Sequence, residues 1–316
     1  MDEQRFIRLI DEIRLEPTYI KEAASGELTR MGPAAVPALL ERLQSNAEEN
    51  WVKAYIVDVL GNIGDRRAIE PLFELLPIED IDLVSSVPYA LVQIGDLDIN
   101  QLLKALEDKR WRVRASVAMI LGEIGGENMI SPLHQMLVDE NPTVIWHSIS
   151  ALGKIGDHRS VHPIIKMLQH SGSSVRGNAA DALGKIGDAS AANVLINALS
   201  DDNVSVSESA ARALGLLGVA EAVDPLLEMM HDSDLWVRCA SIVALGQIGD
   251  ARAIPVLLDA LDDEIPAQYR AIDALGKIGD KRVLPKLASL STESEPGLPP
   301  RIEDAIKKIE SRQGQK

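Results

Sequence analysis

The chain is poor in the side chains that normally fill a deep globular core. Only Phe6 and Phe73 are phenylalanine among 316 residues, and aromatics together reach 3%. A compact body of this length needs large groups at its centre, whereas a layered stack one helix pair deep does not. Cysteine is nearly missing as well. The single Cys239 excludes an internal disulfide and suits a reducing, cytoplasmic setting. The N-terminus, Met1-Asp2-Glu3-Gln4-Arg5, has no apolar run behind it that could serve as a signal peptide or membrane span. Positive charge is outnumbered: 32 Lys and Arg against 48 Asp and Glu give a net charge of −16. That balance favours solubility and repels nucleic acid and anionic membranes.

What the chain does have is glycine at regular intervals. The element Leu-Gly-x-Ile-Gly occurs as Leu60-Gly61-Asn62-Ile63-Gly64 and again at 121–125, 152–156, 183–187, 245–249 and 275–279. Leu214 to Gly218 carries Leu for Ile, Leu91-Val92-Gln93-Ile94-Gly95 is a variant, and Leu28-Thr29-Arg30-Met31-Gly32 is a degenerate first copy. The closing glycines are spaced by 30 to 32 residues, and one further period reaches Ala305 to Ile309 with both glycines lost. A fixed period of this size is the mark of a repeat architecture.

Each repeat has a physical logic. The closing glycine suits the left-handed residue that ends a helix. The glycine three positions earlier lies on the helix, where its low propensity needs compensation by close approach of a neighbour. Asp65, Asp96, Asp157, Asp188, Asp250 and Asp280 follow closing glycines and are placed to cap the next helix. Pro37, Pro71, Pro132, Pro163, Pro225, Pro255 and Pro285 then fall in its first turn, where a missing N–H costs little. Pro88 lies inside a second helix and is expected to kink or shorten it.

The pattern Val-Arg-x-x-Ala-Ala-x-Ala-Leu-Gly-x-Ile-Gly-Asp at Val175 to Asp188 resembles the HEAT-like repeats first described in phycobilisome lyases, and the likeness extends over essentially the whole chain. The resemblance implies an all-α fold, an α-solenoid: a right-handed superhelix of about ten helix-turn-helix repeats. It also implies a stacking ladder between an Asp in the inter-helix turn and an Arg six residues later. Asp108 with Arg114 and Asp232 with Arg238 match, while Val84, Ile145 and Ser207 replace the arginine elsewhere. One domain is expected over 1–316, with a capping repeat at 1–32, regular repeats at 33–279 and a second capping repeat at 280–316. That last repeat carries a longer polar turn, Ser289 to Pro300.

Counting back from each closing glycine separates two faces of the second helix. Positions 1, 4, 5, 7, 8 and 12 are apolar or small, as in Ile248, Leu245, Ala244, Ile242, Ser241 and Val237. Positions 2, 6, 9, 10, 13 and 14 vary and share the opposite side, which lines the concave surface in HEAT-like solenoids. Every Trp and Tyr falls on the variable set: Tyr19, Trp51, Tyr55, Tyr89, Trp111, Trp146, Trp236 and Tyr269. Random placement would do this with a chance on the order of one in a million. Such residues give large contact area with a polar tip and are enriched at binding hot spots. The same positions sum to a charge of +1, leaving −17 for the rest of the chain. A near-neutral aromatic face fits a protein partner, and it lacks the basic track of a nucleic-acid groove.

Signs of chemistry are few. Deoxyhypusine hydroxylase, built from similar repeats, holds two irons with His-Glu dipeptides. None of His134, His147, His158, His162, His170 and His231 is followed by Glu, which excludes that activity. His158 and His162 have a metal-compatible spacing but no Glu between them and no third ligand. No P-loop, dinucleotide motif or nucleophile elbow is present. The expectation is a non-catalytic scaffold with no cofactor or metal. The alternative is a bilin-lyase-type or tetrapyrrole-binding subunit, for which Cys239 falls on the variable face beside Trp236. The plainer reading of Cys239 is a small space-filling residue.

Overall fold

The computed structural model of the chain describes residues 3–13, 18–45, 48–293 and 298–311. Among the described residues all regular structure is helical. The fold is an all-α solenoid of helix pairs. Contacts divide it into two compact units, residues 1–151 and 152–316. No helix among the described residues is long and apolar enough to cross a membrane.

Among the described residues all ten second helices have 14 residues. Those of the first unit are Thr18–Met31, Asn50–Ile63, Ile81–Ile94 and Trp111–Ile124, with Pro142–Ile155 at the boundary. Those of the second are Ser173–Ile186, Val204–Leu217, Leu235–Ile248, Ile265–Ile278 and Leu298–Ser311. Pro88 does not shorten its helix, Ile81–Ile94. Only one backbone hydrogen bond is forfeited there, and burial of Leu83, Val87 and Leu91 holds the helix in place. The expected polar turn from Ser289 to Pro300 is also corrected. Ser289 belongs to the helix Leu284–Glu293 and Pro300 to the first turn of Leu298–Ser311, while 294–297 lie outside the described residues.

The two glycines of the signature do different work. All nine closing glycines have positive φ, from +61° to +79°, and nothing lies where a side chain would be. The helical glycines form a seam. A Cβ placed on Gly61, Gly122, Gly153, Gly184, Gly215, Gly246 or Gly276 would lie 2.6–3.0 Å from a carbon of an alanine in the next second helix. The alanines are Ala90, Ala151, Ala182, Ala213, Ala244, Ala274 and Ala305. Backbone-to-backbone approach of this kind is why glycine is kept at a helical position it disfavours.

Between helix pairs the acidic caps act as expected at five places, but on a one-turn 3₁₀ segment that precedes the first α-helix. Asp65, Asp157, Asp188, Asp250 and Asp280 each accept from the N–H two residues on. Asp96 does not cap. Its φ is +52°, and Asp98 accepts from the Asn100 N–H instead.

The ladder is real, with different partners from those expected. Nη1 of Arg114 donates to the carbonyls of Asp108 and Lys109, at 2.8 and 3.2 Å, and its other nitrogens grip the Asp139 carboxylate of the next repeat. Arg238 does the same with the carbonyls of Asp232 and Ser233 and the Asp263 carboxylate. A third rung, missed in the sequence, joins Arg176 to the carbonyls of His170 and Ser171 and to Asp201. The bidentate bonds of all three measure 2.6–2.9 Å. Paired with Arg176, the Asp201 carboxyl is held down to about 2.

Candidate functional site

Aromatic side chains collect on the outer side of the second helices because the seam side admits only small groups. Of the eight predicted residues, Tyr19 lies in the helix Thr18–Met31, but its side chain is outside the described residues. None of the other seven is buried. Tyr89 is 53% exposed, Trp146 38% and Trp236 55%, while Trp51, Tyr55, Trp111 and Tyr269 are half-buried.

Within the first unit, Trp51 and Tyr55 meet edge to face at 6.4 Å, one helical turn apart on the same side. Lys21 Nζ sits 4.6 Å over the Trp51 ring, and the Trp51 indole N–H donates to Glu49. A shallow cavity of about 430 Å³ adjoins them, lined by Glu22, Ser25, Thr29, Tyr55, Asp58 and Asn62. Burial pushes the Asp58 carboxyl up, partly offset by a hydrogen bond from Ser86. Further along, the Arg112 guanidinium lies 4.3 Å from the Trp111 ring and pairs with Glu79 at 2.9 Å. Trp146 meets His147 edge to face at 5.0 Å, and burial lowers the His147 pKa.

The second unit repeats the device with cations from the following repeat. Arg270 approaches the Trp236 ring to 5.5 Å, and Arg301 approaches Tyr269 to 5.0 Å. Arg301 also pairs with Asp273. Four of the seven described aromatics therefore carry a stacked cation, which holds the ring in place and gives it a charged rim. Sequence spacing did not show this pairing, because three of the four cations come from the adjacent repeat.

One part of the variable set needs correction. Cys239, ten residues before its glycine, is only 2% exposed, and burial pushes its thiol up. Ala115, Ser116, Gly177, Asn178 and Ser209, at the same two positions of other repeats, are buried too. Positions 9 and 10 lie against the neighbouring second helix, so only long side chains such as Tyr55, Trp146 and Tyr269 project past it. His158 and His162 are exposed near the start of a first helix. Among the described residues no group of three or more His, Cys, Asp and Glu is placed to hold a metal.

The family profile for HEAT repeats matches residues 99–163, 130–210 and 192–271. That for the PBS lyase HEAT-like repeat matches 52–76 and 267–292. No curated protein sequence matches at a significant level. Among solved structures, Escherichia coli YibA is 24% identical with a TM-score of 0.65, over 84% of this chain and 98% of that one. The CpcE–CpcF complex of phycocyanin lyase from Nostoc is 22% identical with a TM-score of 0.49, over 69% of this chain and 89% of that one. Human deoxyhypusine hydroxylase is 20% identical with a TM-score of 0.36, over 78% and 96%. These likenesses concern the fold.

Proposed function

The chain belongs to the HEAT-repeat family, and from that premise we propose that it is a non-catalytic scaffold which grips a protein partner through the aromatic side of its second helices. The observation that carries this reading is the set of accessible rings, most of them held under a cation. A ring already fixed by Lys21 or Arg270 loses little further freedom on binding, which is how aromatic anchors become hot spots. The mixed-charge rim of Glu49, Glu79, Arg112 and Arg301 matches the polar surround of such anchors. The pair Trp51 and Tyr55, with Trp111 two repeats on, is the favoured centre in the first unit.

The bilin-lyase alternative draws support only from the repeat type. It gains nothing from Cys239, whose sulfur is buried and whose thiol is disfavoured as a thiolate. Replacing Trp51, Tyr55 and Trp111 together with Ala is expected to abolish capture of a partner from native lysate while leaving the helical circular-dichroism signal intact. Undiminished capture by the folded triple variant would end the proposal. New visible absorbance on mixing the purified protein with a free bilin would favour the alternative.

A further inference from the structure

The ladder has one vacancy that keeps every acceptor of a rung and lacks only the arginine. In each filled rung the arginine uses carbonyls six and five residues before it and a carboxylate 25 residues after it. Ser207 occupies the arginine position between the Arg176 and Arg238 rungs. Its counterparts are the carbonyls of Asp201 and Asp202 and the carboxylate of Asp232. No donor among the described residues reaches those two carbonyls. Among the described residues the Asp232 carboxylate accepts only the Asp234 N–H, at 2.7 Å. Asp139 and Asp201 accept the equivalent N–H while also gripping their arginines, so this bond leaves room for a guanidinium. The Ser207 hydroxyl is turned away, donating to the Val204 carbonyl.

The space is there as well. An open cavity of about 690 Å³ lies at this spot, lined among others by Asp201, Val204, Ser207, Glu228, Asp232 and Val237. The cavities beside the filled Arg176 and Arg238 rungs are about 330 and 310 Å³. Lys53 and Gln268 also stand at the arginine position, the latter donating to the Leu261 carbonyl, and the breaks at Ile145 and Val84 differ from that at Ser207. Opposite Ile145 the carboxylate position is His170, whose Nδ1 accepts the Gly172 N–H. Near Val84 the carboxylate is Asp108, 24 rather than 25 residues on, and it is already taken by Arg110 at 2.7 Å.

We propose that this vacancy is a receptor for the guanidinium of an arginine side chain presented by another protein chain, which completes the missing rung from outside. The acceptors are those that three arginines of this chain already use, and their planar fork suits guanidinium far better than an ammonium. The carboxylates of Glu228 and Asp232 at this cavity supply the negative charge that a guanidinium needs. The site lies at the inter-helix turns and does not depend on the aromatic face.

The test is a titration of the ¹⁵N-labelled full chain with N-acetyl-arginine N-methylamide, followed by amide shifts. Shifts are expected at residues 201–207 and 232–234, saturating at millimolar concentration on the order of other single-side-chain contacts. The capped lysine analogue should bind about tenfold more weakly. Ser207→Arg should rebuild the rung from within and abolish the shifts, and Asp232→Asn should abolish them without filling the cavity. No shift at these residues overturns the proposal, as does equal binding of capped lysine, which would mean only general attraction of cations. Shifts that persist in Asp232→Asn, or in a folded Ser207→Arg, overturn it too. Should Ser207→Arg fail to fold, the Asp232→Asn titration decides alone.

Discussion

Two glycines of one helix should respond in opposite directions to the same substitution. Gly177 and Gly184 both lie in Ser173–Ile186, and replacing either by Ala gains about 1 kcal/mol of helix propensity. At Gly177 the new Cβ meets nothing closer than 3.7 Å, so Gly177→Ala should be stabilising by about that amount. At Gly184 it would sit 2.7 Å from the Ala213 Cα and 2.9 Å from its Cβ. Carbon atoms are comfortable at about 3.5–4.0 Å, so the helix Val204–Leu217 must retreat by about 1 Å. Overpacking of this kind costs about 1–3 kcal/mol, and the retreat also weakens contacts along the rest of the seam. Gly184→Ala should therefore be destabilising by about 1–2 kcal/mol net of the propensity gain. In a thermal melt followed by circular dichroism that is a fall of about 1.5–3 °C if the whole chain melts together and about 3–6 °C if the unit 152–316 melts alone, against a small rise for Gly177→Ala. Adding Ala213→Gly removes the 2.9 Å contact but not the 2.7 Å one, so it should restore only part of the loss. If Gly184→Ala proved as stabilising as Gly177→Ala, the close-approach account of the helical glycines would be wrong.

Two further outcomes follow from the ladder and the core. The Asp201 carboxyl is held at about 2 in the folded chain and returns to about 4 on unfolding, so its rung adds stability above pH ~4 that disappears as pH falls toward 2. Urea midpoints of Asp201→Asn and the parent chain should differ at pH 7, the gap narrowing below pH ~4 and closing only below pH ~2, and a constant gap would refute the assignment. Cys239, buried with a raised thiol pKa, should react with a thiol-specific disulfide reagent about a hundredfold more slowly in the native protein than in denaturant. Rapid native labelling would place it on the accessible face after all.

The repeat itself was legible because its constraints are local. A left-handed glycine, an acidic cap and a proline in a first turn each act within a few residues, so they recur at a fixed spacing. The aromatic positions were legible for a related reason, since bulky rings are barred from the seam. Features that depend on a neighbouring repeat were harder to read. Arg176 does not read as a rung because His170 stands where the pattern has Asp, yet the rung needs only the His170 carbonyl, which any residue supplies. Its carboxylate, Asp201, comes from the next repeat. Cys239 reads as exposed when residues are counted around an isolated cylinder, whereas each second helix is covered by others along its flanks.

The seam has a consequence for how the length of this protein can change. From Gly122 to Ala305 every junction offers a glycine on one side and an alanine on the other, so the units are interchangeable. Loss of 188–218, for example, would bring Gly184 against Ala244 and recreate the contact it removed. The third repeat breaks the pattern: Val92 stands in the glycine register and Ile120 in the alanine register of the following helix. Two bulky residues stand there where the other junctions have two small ones. Excising 96–125 would leave Val92 facing Ala151, and excising 65–95 would leave Gly61 facing Ile120, a bulky–small mismatch in either case. Duplication and deletion are therefore cheap beyond that junction and penalised across it, which makes Val92 and Ile120 a lock on the register of the array.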